Sequence, residues 1–153
     1  YHGWNLGEQL VWGKHTVFEK ALNSALIVKA PGKTKGKIVG QVVSTVDIYP
    51  TLMELCEVEM PYTADGKSFV PLLENPETGW NEASYSYFRN GISLRTARYR
   101  LTRYFRDEKP IIELYDHDTD PDETKNIAAE NPDIVENLMP LLEKGNTGLY
   151  QKQ

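Results

Sequence analysis

The sequence is poor in cysteine, in positive charge and in long apolar runs. Its 153 residues include a single cysteine, Cys56, which excludes an internal disulfide and a metal centre built from several thiolates. Lysine and arginine number 17 against 22 acidic residues, a net charge of -5, whereas nucleic-acid binders need a basic face to neutralise phosphates. No apolar run approaches the ~20 residues that cross a bilayer. We therefore predict a globular protein without a nucleic-acid or membrane partner.

The sequence also lacks an obvious beginning. It starts at Tyr1, without methionine and without the basic and then apolar segments of a signal peptide. Because Tyr1 lies directly before a motif-like cluster, we expect the chain to be a piece of a longer protein.

The first part of the chain predicts a strand and then a helix. The run from Ser24 to Ala30 is short, apolar and partly β-branched, which is typical of a buried strand in a parallel sheet. The helix should follow Asp47 as its N-cap, because this places Pro50 in the first turn, where its missing N–H has no intrahelical partner anyway. Its apolar face would consist of Ile48, Leu52, Leu55 and Cys56. The single cysteine is thus expected to be buried.

The later part predicts an antiparallel sheet and a last helix. Strand candidates rich in Tyr, Ile and Thr lie at 83–88, 92–97, 99–105 and 111–115. Asn90-Gly91 is a favoured hairpin signal. For the helix, Asn131 is the expected N-cap, Pro132 the first residue and Gly145 the stop. Pro140 should kink this helix or end it early.

Together these elements predict an α/β fold that continues into a small α+β lobe. We assign residues 1–60 to the α/β part and residues 61–81, which are rich in Pro and Gly, to a connector. Residues 82–153 would form the lobe, an antiparallel sheet of three or four strands with a C-terminal helix.

The residues most suited to chemistry lie near the beginning. Lys14 stands between Gly13 and His15, so its ammonium could reach an oxyanion with little obstruction. His2 and His15 could bind a metal or move a proton near neutral pH. The alternative is a loop in which these polar side chains are only solvated.

The order of these residues resembles the late catalytic segment of the sulfatase family, and most of all its iduronate-2-sulfatase-like branch. The likeness runs through nearly the whole chain in the family's order. It lies in His2-Gly3-Trp4-x-Leu6-Gly7-Glu8, Trp12-Gly13-Lys14-His15-Thr16-x-Phe18-Glu19, the run ending at Pro31-Gly32, Val46-Asp47-Ile48-Tyr49-Pro50-Thr51-Leu52, Ser93-Leu94-Arg95-Thr96-x-x-Tyr99-Arg100, Glu113-Leu114-Tyr115-Asp116 and Asp120-Pro121-x-Glu123-x-x-Asn126.

The resemblance implies the C-terminal portion of an alkaline-phosphatase-like domain that hydrolyses sulfate esters, with sulfated carbohydrate as the expected substrate. By the same resemblance His2 is a ligand of a divalent cation, usually calcium, and Lys14 holds the sulfate oxygens. A fixed ammonium there would stabilise charge on the transferring sulfuryl group. The role implied for His15 is to face the substrate. The family's compartments are the periplasm, the lysosome and the exterior of the cell.

The sequence departs from the family at two points. Tyr1 stands where the family has a metal-binding aspartate, and a neutral phenol is a poor ligand for a hard cation. The Cys/Ser-x-Pro-x-Arg motif that yields the formylglycine nucleophile does not occur, since Cys56 is followed by Glu57-Val58-Glu59. We therefore expect the catalytic N-terminal segment to be missing and the chain alone to be inactive. A non-catalytic remnant, a glycan-binding module and a phosphodiesterase or phosphonate hydrolase of the same fold stay open as alternatives.

Other charged residues invite a functional interpretation that the sequence does not favour. Asp116-x-Asp118-x-Asp120 opens like a calcium loop, but Pro121 replaces its turn glycine, so we predict turn caps. Glu8 and Glu19 are expected to be solvated. The hairpin region carries Arg95, Arg98, Arg100, Arg103 and Arg106. A solvated strand face with cross-strand ion pairs is favoured there over a grip on anionic polysaccharide.

Overall fold

A computed structural model describes residues 2–33, 36–80, 83–106 and 109–148. The helices and strands are β1 (Asn5–Leu6), β2 (Trp12–Gly13), α1 (Glu19–Leu22), α2 (Ile48–Leu55), α3 (Val70–Glu74), β3 (Ser84–Phe88), β4 (Gly91–Arg95), β5 (Tyr99–Tyr104), β6 (Ile111–Asp116) and α4 (Pro132–Lys144), with short 3₁₀ turns at Glu8–Leu10 and Thr45–Asp47. None of the described helices is long and apolar enough to span a membrane.

The chain forms two compact units. The described residues up to Ala25 and those from Tyr85 onward belong to the first unit, and Leu26–Ser84 form the second. The start of the chain therefore shares a unit with the end. The limits that we predicted between the α/β part, the connector and the lobe, at residues 60 and 81, refer to the domains of a longer protein and stay a prediction.

The first unit is built on an antiparallel sheet with the strand order β3-β4-β5-β6. Leu94 of β4 lies opposite Leu101 of β5, which in turn lies opposite Leu114 of β6. These three leucines are fully buried, and so is Leu142 of α4, which packs on β4 and β5. The predicted antiparallel sheet with a C-terminal helix is thus confirmed.

The turn between β3 and β4 differs by one residue from the Asn-Gly turn that we predicted. It consists of Arg89 and Asn90, and Arg89 adopts a left-handed conformation with φ of 50°. Gly91 is the first residue of β4, where an added Cβ would lie 2.8 Å from the ring of Tyr104. Close packing, rather than turn geometry, therefore requires glycine at this position.

Helix α4 begins as predicted, with Asn131 at the N-cap and Pro132 as the first residue. It does not end early at Pro140 but continues to Lys144. Two tyrosines of β3 hold its last turn, since the hydroxyl of Tyr85 donates to the carbonyl of Leu141 and that of Tyr87 to the carbonyl of Gly145. These bonds and the burial of Leu142 oppose the breaking effect of the proline.

The strand predicted at 24–30 is wrong for this chain, because that segment has no regular structure. Ile27 is 92% exposed, and both sheets among the described residues are antiparallel. The run therefore lacks the parallel neighbours that would bury it. The core of the second unit is instead Phe69, Leu72 and Trp80, from the segment predicted to be a connector.

Helix α2 begins after Asp47 as predicted, but its buried face is not the predicted one. Pro50 and Thr51 are buried, whereas Leu52 and Cys56 are exposed. Thr51 Oγ1 donates to the carbonyl of Asp47 at 2.6 Å and accepts the amide of Phe69 at 3.0 Å. This pair of buried hydrogen bonds turns the threonine inward, while Ile48 of the predicted face packs partly buried on the core of the second unit.

We predict that Thr51→Val lowers the free energy of unfolding by about 1–3 kcal/mol, because the isosteric valine leaves the buried amide of Phe69 without an acceptor. Chemical denaturation of the variant and the unmodified protein measures this difference. Thr45→Val, at an exposed position in the preceding turn, is the matched control and should have little effect. Equal stability of both variants would contradict the prediction.

Candidate functional site

A two-stranded ribbon brings two of the predicted site residues together. Strands β1 and β2 pair with Asn5 opposite Gly13. The ammonium Nζ of Lys14 lies 3.0 Å from Nε2 of His2, although the two residues are 12 positions apart. Glycine is required beside His2, because a Cβ on Gly3 would lie 1.7 Å from the carbonyl oxygen of Lys20.

The hydrogen bonds of His2 fix which of its ring nitrogens carries the proton. Nδ1 lies 2.9 Å from the carbonyl oxygen of Gly3, which can only accept. Nδ1 is therefore the donor, and Nε2 turns its lone pair toward the ammonium of Lys14. An imidazole with its acceptor nitrogen beside a lysine thus lies on the exposed surface. Tyr1, which precedes it, lies outside the described residues.

The third predicted residue, His15, lies apart from this pair. Its ring stacks on Phe88 with centroids 6.1 Å apart and an angle of 14° between the planes. Thr16, which follows it, lines an open cavity of about 560 Å³. The other lining residues are Phe88, Arg89, Asn90, Tyr104 and Arg106.

A buried network of charges lies behind the ribbon. Arg100 of β5 and Glu123 are almost fully buried, and Arg100 Nε donates to Glu123 Oε1 at 2.5 Å. Arg100 also donates to Glu19 of α1 through Nη2 and to Ser93 through Nη1. The other carboxylate oxygen of Glu123 accepts the backbone amide of Glu19 at 2.8 Å. The expectation that Glu19 is solvated is therefore wrong, because a buried arginine needs its charge.

His117 completes the network through both of its ring nitrogens. Arg95 Nη2 lies 2.8 Å from His117 Nδ1, and a guanidinium can only donate. Nδ1 is thus the acceptor, and Nε2 donates to Glu123 Oε1 at 2.8 Å. Burial raises the pKa of Glu123, but the bond from His117 and the charge of Arg100 outweigh it, so the pKa is lower than usual.

The same network contains a group of three potential metal ligands. Glu19, His117 and Glu123 offer atoms within 4.8 Å of one another. However, the guanidinium groups of Arg95 and Arg100 already bind these acceptors. A cation placed there would face two positive charges, so the donor set does not fit a metal and the network is structural.

Two further arginines of the hairpin region, Arg98 and Arg103, are paired with acidic side chains, and the pair between Arg98 and Asp116 joins neighbouring ends of β5 and β6, as the predicted cross-strand ion pairs would. Arg98 binds both carboxylate oxygens of Asp116, and Arg103 pairs with Glu143 of α4. Asp116 also accepts the amide of Asp118, and Asp120 those of the residues at 124 and 125. The predicted turn-capping role of these aspartates is confirmed.

Comparisons with known proteins agree on one family. The family model described as N-sulphoglucosamine sulphohydrolase, C-terminal, matches residues 7–147. A sulfatase of Formosa agariphila is 32% identical over 149 residues, which are 95% of this chain and 29% of that relative. Arylsulfatase K of Mus musculus is 29% identical over 152 residues, or 90% of this chain and 27% of its own length.

A similar fold occurs in a solved structure of a protein in complex with its substrate, D-glucosamine-2-N,6-O-disulfate. The TM-score is 0.76 at 28% sequence identity, and the likeness covers 94% of this chain and 32% of that one. The chain thus spans less than a third of the length of these relatives.

We predict that Glu123→Gln lowers the free energy of unfolding at pH 7 by about 3 kcal/mol, because it leaves Arg100 buried with one counter-charge fewer. Glu130→Gln, which breaks the exposed pair with Lys125, is the control and should change little. Denaturant titrations of both variants measure the two effects.

The difference between Glu123→Gln and the unmodified protein should also depend on pH. The pKa of Glu123 is lower in the folded than in the unfolded protein, so its charge stabilises the fold above the ordinary value of about 4.3. This stabilisation is lost as the pH falls through the lowered folded-state pKa. A gap between the two proteins that stays constant down to pH 2 would contradict the assignment.

Proposed function

Because the chain belongs to the N-sulphoglucosamine sulphohydrolase C-terminal family, we propose that it is the C-terminal part of a longer sulfuric ester hydrolase that acts on sulfated carbohydrate. The observation that carries the proposal is the contact between Lys14 Nζ and His2 Nε2 on the ribbon. The family's name and the disulfated glucosamine bound by the related structure favour a sulfated glucosamine as the substrate. We also propose that the chain belongs to the iduronate-2-sulfatase-like branch, and only the sequence motifs support this part of the proposal.

Exposed apolar side chains support the idea that this chain is covered by further protein. On the ribbon and its turn, Leu10 is 97% and Trp12 77% exposed. In the second unit, Ile27 and Ile38 are more than 90% exposed. Single exposed apolar residues are common, but large ones that follow each other along a segment mark a surface that another element covers.

In the proposed mechanism Lys14 holds the sulfate oxygens. Cleavage of a sulfate ester spreads negative charge over the oxygens of the transferring group, and a fixed ammonium stabilises that charge. Lys14 is half-buried and held by the ribbon, so little reorganisation is needed when the substrate binds. Its three N–H donors can serve several sulfate oxygens.

The proposed role of His2 is to bind the divalent cation that the family implies, usually calcium. The ring fits this role in one respect, since Nε2 carries a lone pair, but in this structure that lone pair accepts from Lys14, so the cation would replace the ammonium there. Calcium prefers oxygen ligands, so most of them must come from residues outside this chain. When bound, the cation would supply positive charge next to the sulfate.

The role proposed for His15 is to face the substrate. Its stacking on Phe88 places it next to the cavity that Thr16 lines. The ring of His15 is exposed, so it can form one wall of a substrate cleft. This role requires neither coordination of a metal nor transfer of a group by the ring.

The nucleophile must come from the missing N-terminal segment. Cys56 is exposed, but it lies in the second unit and outside any formylglycine motif. We predict that the 153-residue chain alone releases no sulfate from 4-nitrocatechol sulfate, whereas the full-length protein does. If the full-length protein also lacks activity and a Cys/Ser-x-Pro-x-Arg motif, the glycan-binding or remnant interpretation replaces the hydrolase.

Substitution of the lysine tests the proposed site directly. In the full-length protein, Lys14→Ala should lower kcat about 100- to 1000-fold, the usual effect of removing one oxyanion donor. Lys20→Ala is the matched control, because Lys20 pairs with Asp122 on the surface and should not affect turnover. Steady-state hydrolysis of 4-nitrocatechol sulfate measures both, and unchanged turnover by Lys14→Ala would remove the assignment.

A further inference from the structure

The carboxamide of Gln9 attaches the turn of the ribbon to the loop between β6 and α4. Its Nε2 donates to the backbone carbonyl of Asp122 at 2.6 Å and to that of Glu123 at 3.1 Å. Its Oε1 accepts from Nδ2 of Asn5 in β1 at 3.2 Å. Because the two loop partners are carbonyl oxygens, which only accept, the orientation of the carboxamide is determined, and its two N–H groups match the two carbonyls.

The backbone on both sides of this contact adopts an unfavourable conformation. The φ angle is 50° at Gln9, 59° at Leu10 and 56° at Glu123. Five non-glycine residues of the described part of the chain have a left-handed backbone, and three of them therefore lie at this contact. Residues with a Cβ adopt this conformation at a cost in free energy, and it persists only where the surrounding contacts fix it. The contact is thus a specific one and not a chance approach of two loops.

The orientation of Gln9 in turn determines that of Asn5. Since Oε1 of Gln9 is an acceptor, Asn5 must turn its NH₂ group toward it. Asn5 is fully buried, and its Oδ1 has no hydrogen-bond partner among the residues that the structure describes. An unsatisfied buried acceptor costs free energy, so the bond to Gln9 is formed at the expense of another polar group in the core.

The effect of Gln9 reaches Lys14 through the pairing of the two strands. Asn5 lies opposite Gly13, and Lys14 follows Gly13 in the chain. Each strand has only two residues, so the ladder between them is too short to fix the ribbon by itself. Gly13 brings no side chain that could help, and an added Cβ would have no neighbouring atom within 4 Å. The place of the Lys14 ammonium beside His2 therefore depends on the side chain that holds Asn5.

We propose that Gln9 is a positioning residue for the sulfate-binding lysine. By fixing the turn of the ribbon to the carbonyls of Asp122 and Glu123, it holds the ammonium of Lys14 where the sulfate oxygens lie during cleavage. The inference rests on the proposed function and adds to it a residue that contacts neither the substrate nor the cation. A charge that is already in place needs no reorganisation during sulfuryl transfer, whereas a mobile one stabilises the transition state less.

Substitutions of Gln9 in the full-length protein separate its hydrogen bonds from its volume. Gln9→Ala removes all of the bonds, and Gln9→Glu keeps the size but, when ionised, has no donor for the two carbonyls. Both should lower kcat for 4-nitrocatechol sulfate roughly 10- to 100-fold, the usual cost of a small misplacement at a reacting centre. KM should change less than about threefold, because the lost interaction is one that is made fully only in the transition state.

A conservative variant should restore the function. Gln9→His should recover most of the lost turnover, since an imidazole N–H can donate to one of the carbonyls and histidine tolerates a left-handed backbone. Gln41→Ala is the matched control, because it removes a half-buried glutamine side chain in the second unit and should alter neither kcat nor KM.

Melting temperatures show whether each variant is folded. If Gln9→Ala does not fold, the comparison of Gln9→Glu with Gln9→His still decides, because both variants keep a side chain of similar size. Unchanged kcat in Gln9→Glu, an equal loss in Gln9→His, or a loss that lies in KM alone would overturn the inference.

Hydrogen exchange separates this inference from the proposed hydrolase. If the full-length protein hydrolyses no sulfate ester, amide exchange measured by mass spectrometry still shows whether Gln9 holds the ribbon. Faster exchange at residues 3–14 in Gln9→Glu, with no change in Gln41→Ala, would retain the positioning of the ribbon by Gln9 and discard the hydrolase. Equal exchange in Gln9→Glu and the unmodified protein would discard the positioning role.

Discussion

The first unit depends on one buried charge, the guanidinium of Arg100. It lies in the middle strand pair of the sheet and binds Glu19 of α1 on one side and Glu123 of the following loop on the other. Burying the charges of Arg100 and Glu123 costs several kcal/mol for each, so the arrangement is stable only because nearly every donor and acceptor is satisfied. Ser93 and His117 supply the remaining hydrogen bonds.

The position of the ribbon follows from this network. Glu19 begins α1, and the amide of Gly3 donates to Ala21 of that helix at 2.9 Å. Gln9, in the turn of the ribbon, donates to the backbone carbonyls of Asp122 and Glu123. The ribbon that carries His2 and Lys14 is therefore attached at both of its ends to residues that Arg100 holds. Loss of the buried charge would affect the site even though Arg100 is not part of it.

The sequence predicted those parts of the fold that local patterns determine. Alternating Tyr, Ile and Thr residues located the four strands, and Asn131-Pro132 located the start of α4, because both signals act over a few residues. The run at 24–30 has the composition of a strand buried on both faces, but such a strand forms only with neighbours, and the part of the chain that the structure describes provides none. Which side of α2 faces inward depends on the hydrogen bond from the amide of Phe69 to Thr51 Oγ1. The spacing of apolar residues along the helix gives no sign of that bond.

The residues of the candidate site were predicted from their order in the sequence, but their contacts were not. Lys14 and His2 were found by their place in a motif, but their contact requires the pairing of two strands of two residues each, which are too short to leave a periodic signal. The link between Glu19 and Arg100 spans 81 positions, so only folding reveals that Glu19 pairs with a buried arginine. Arg89 and Phe88 are adjacent in the sequence, so a contact between the guanidinium and the ring could be expected. The sequence does not show that a cavity opens beside them.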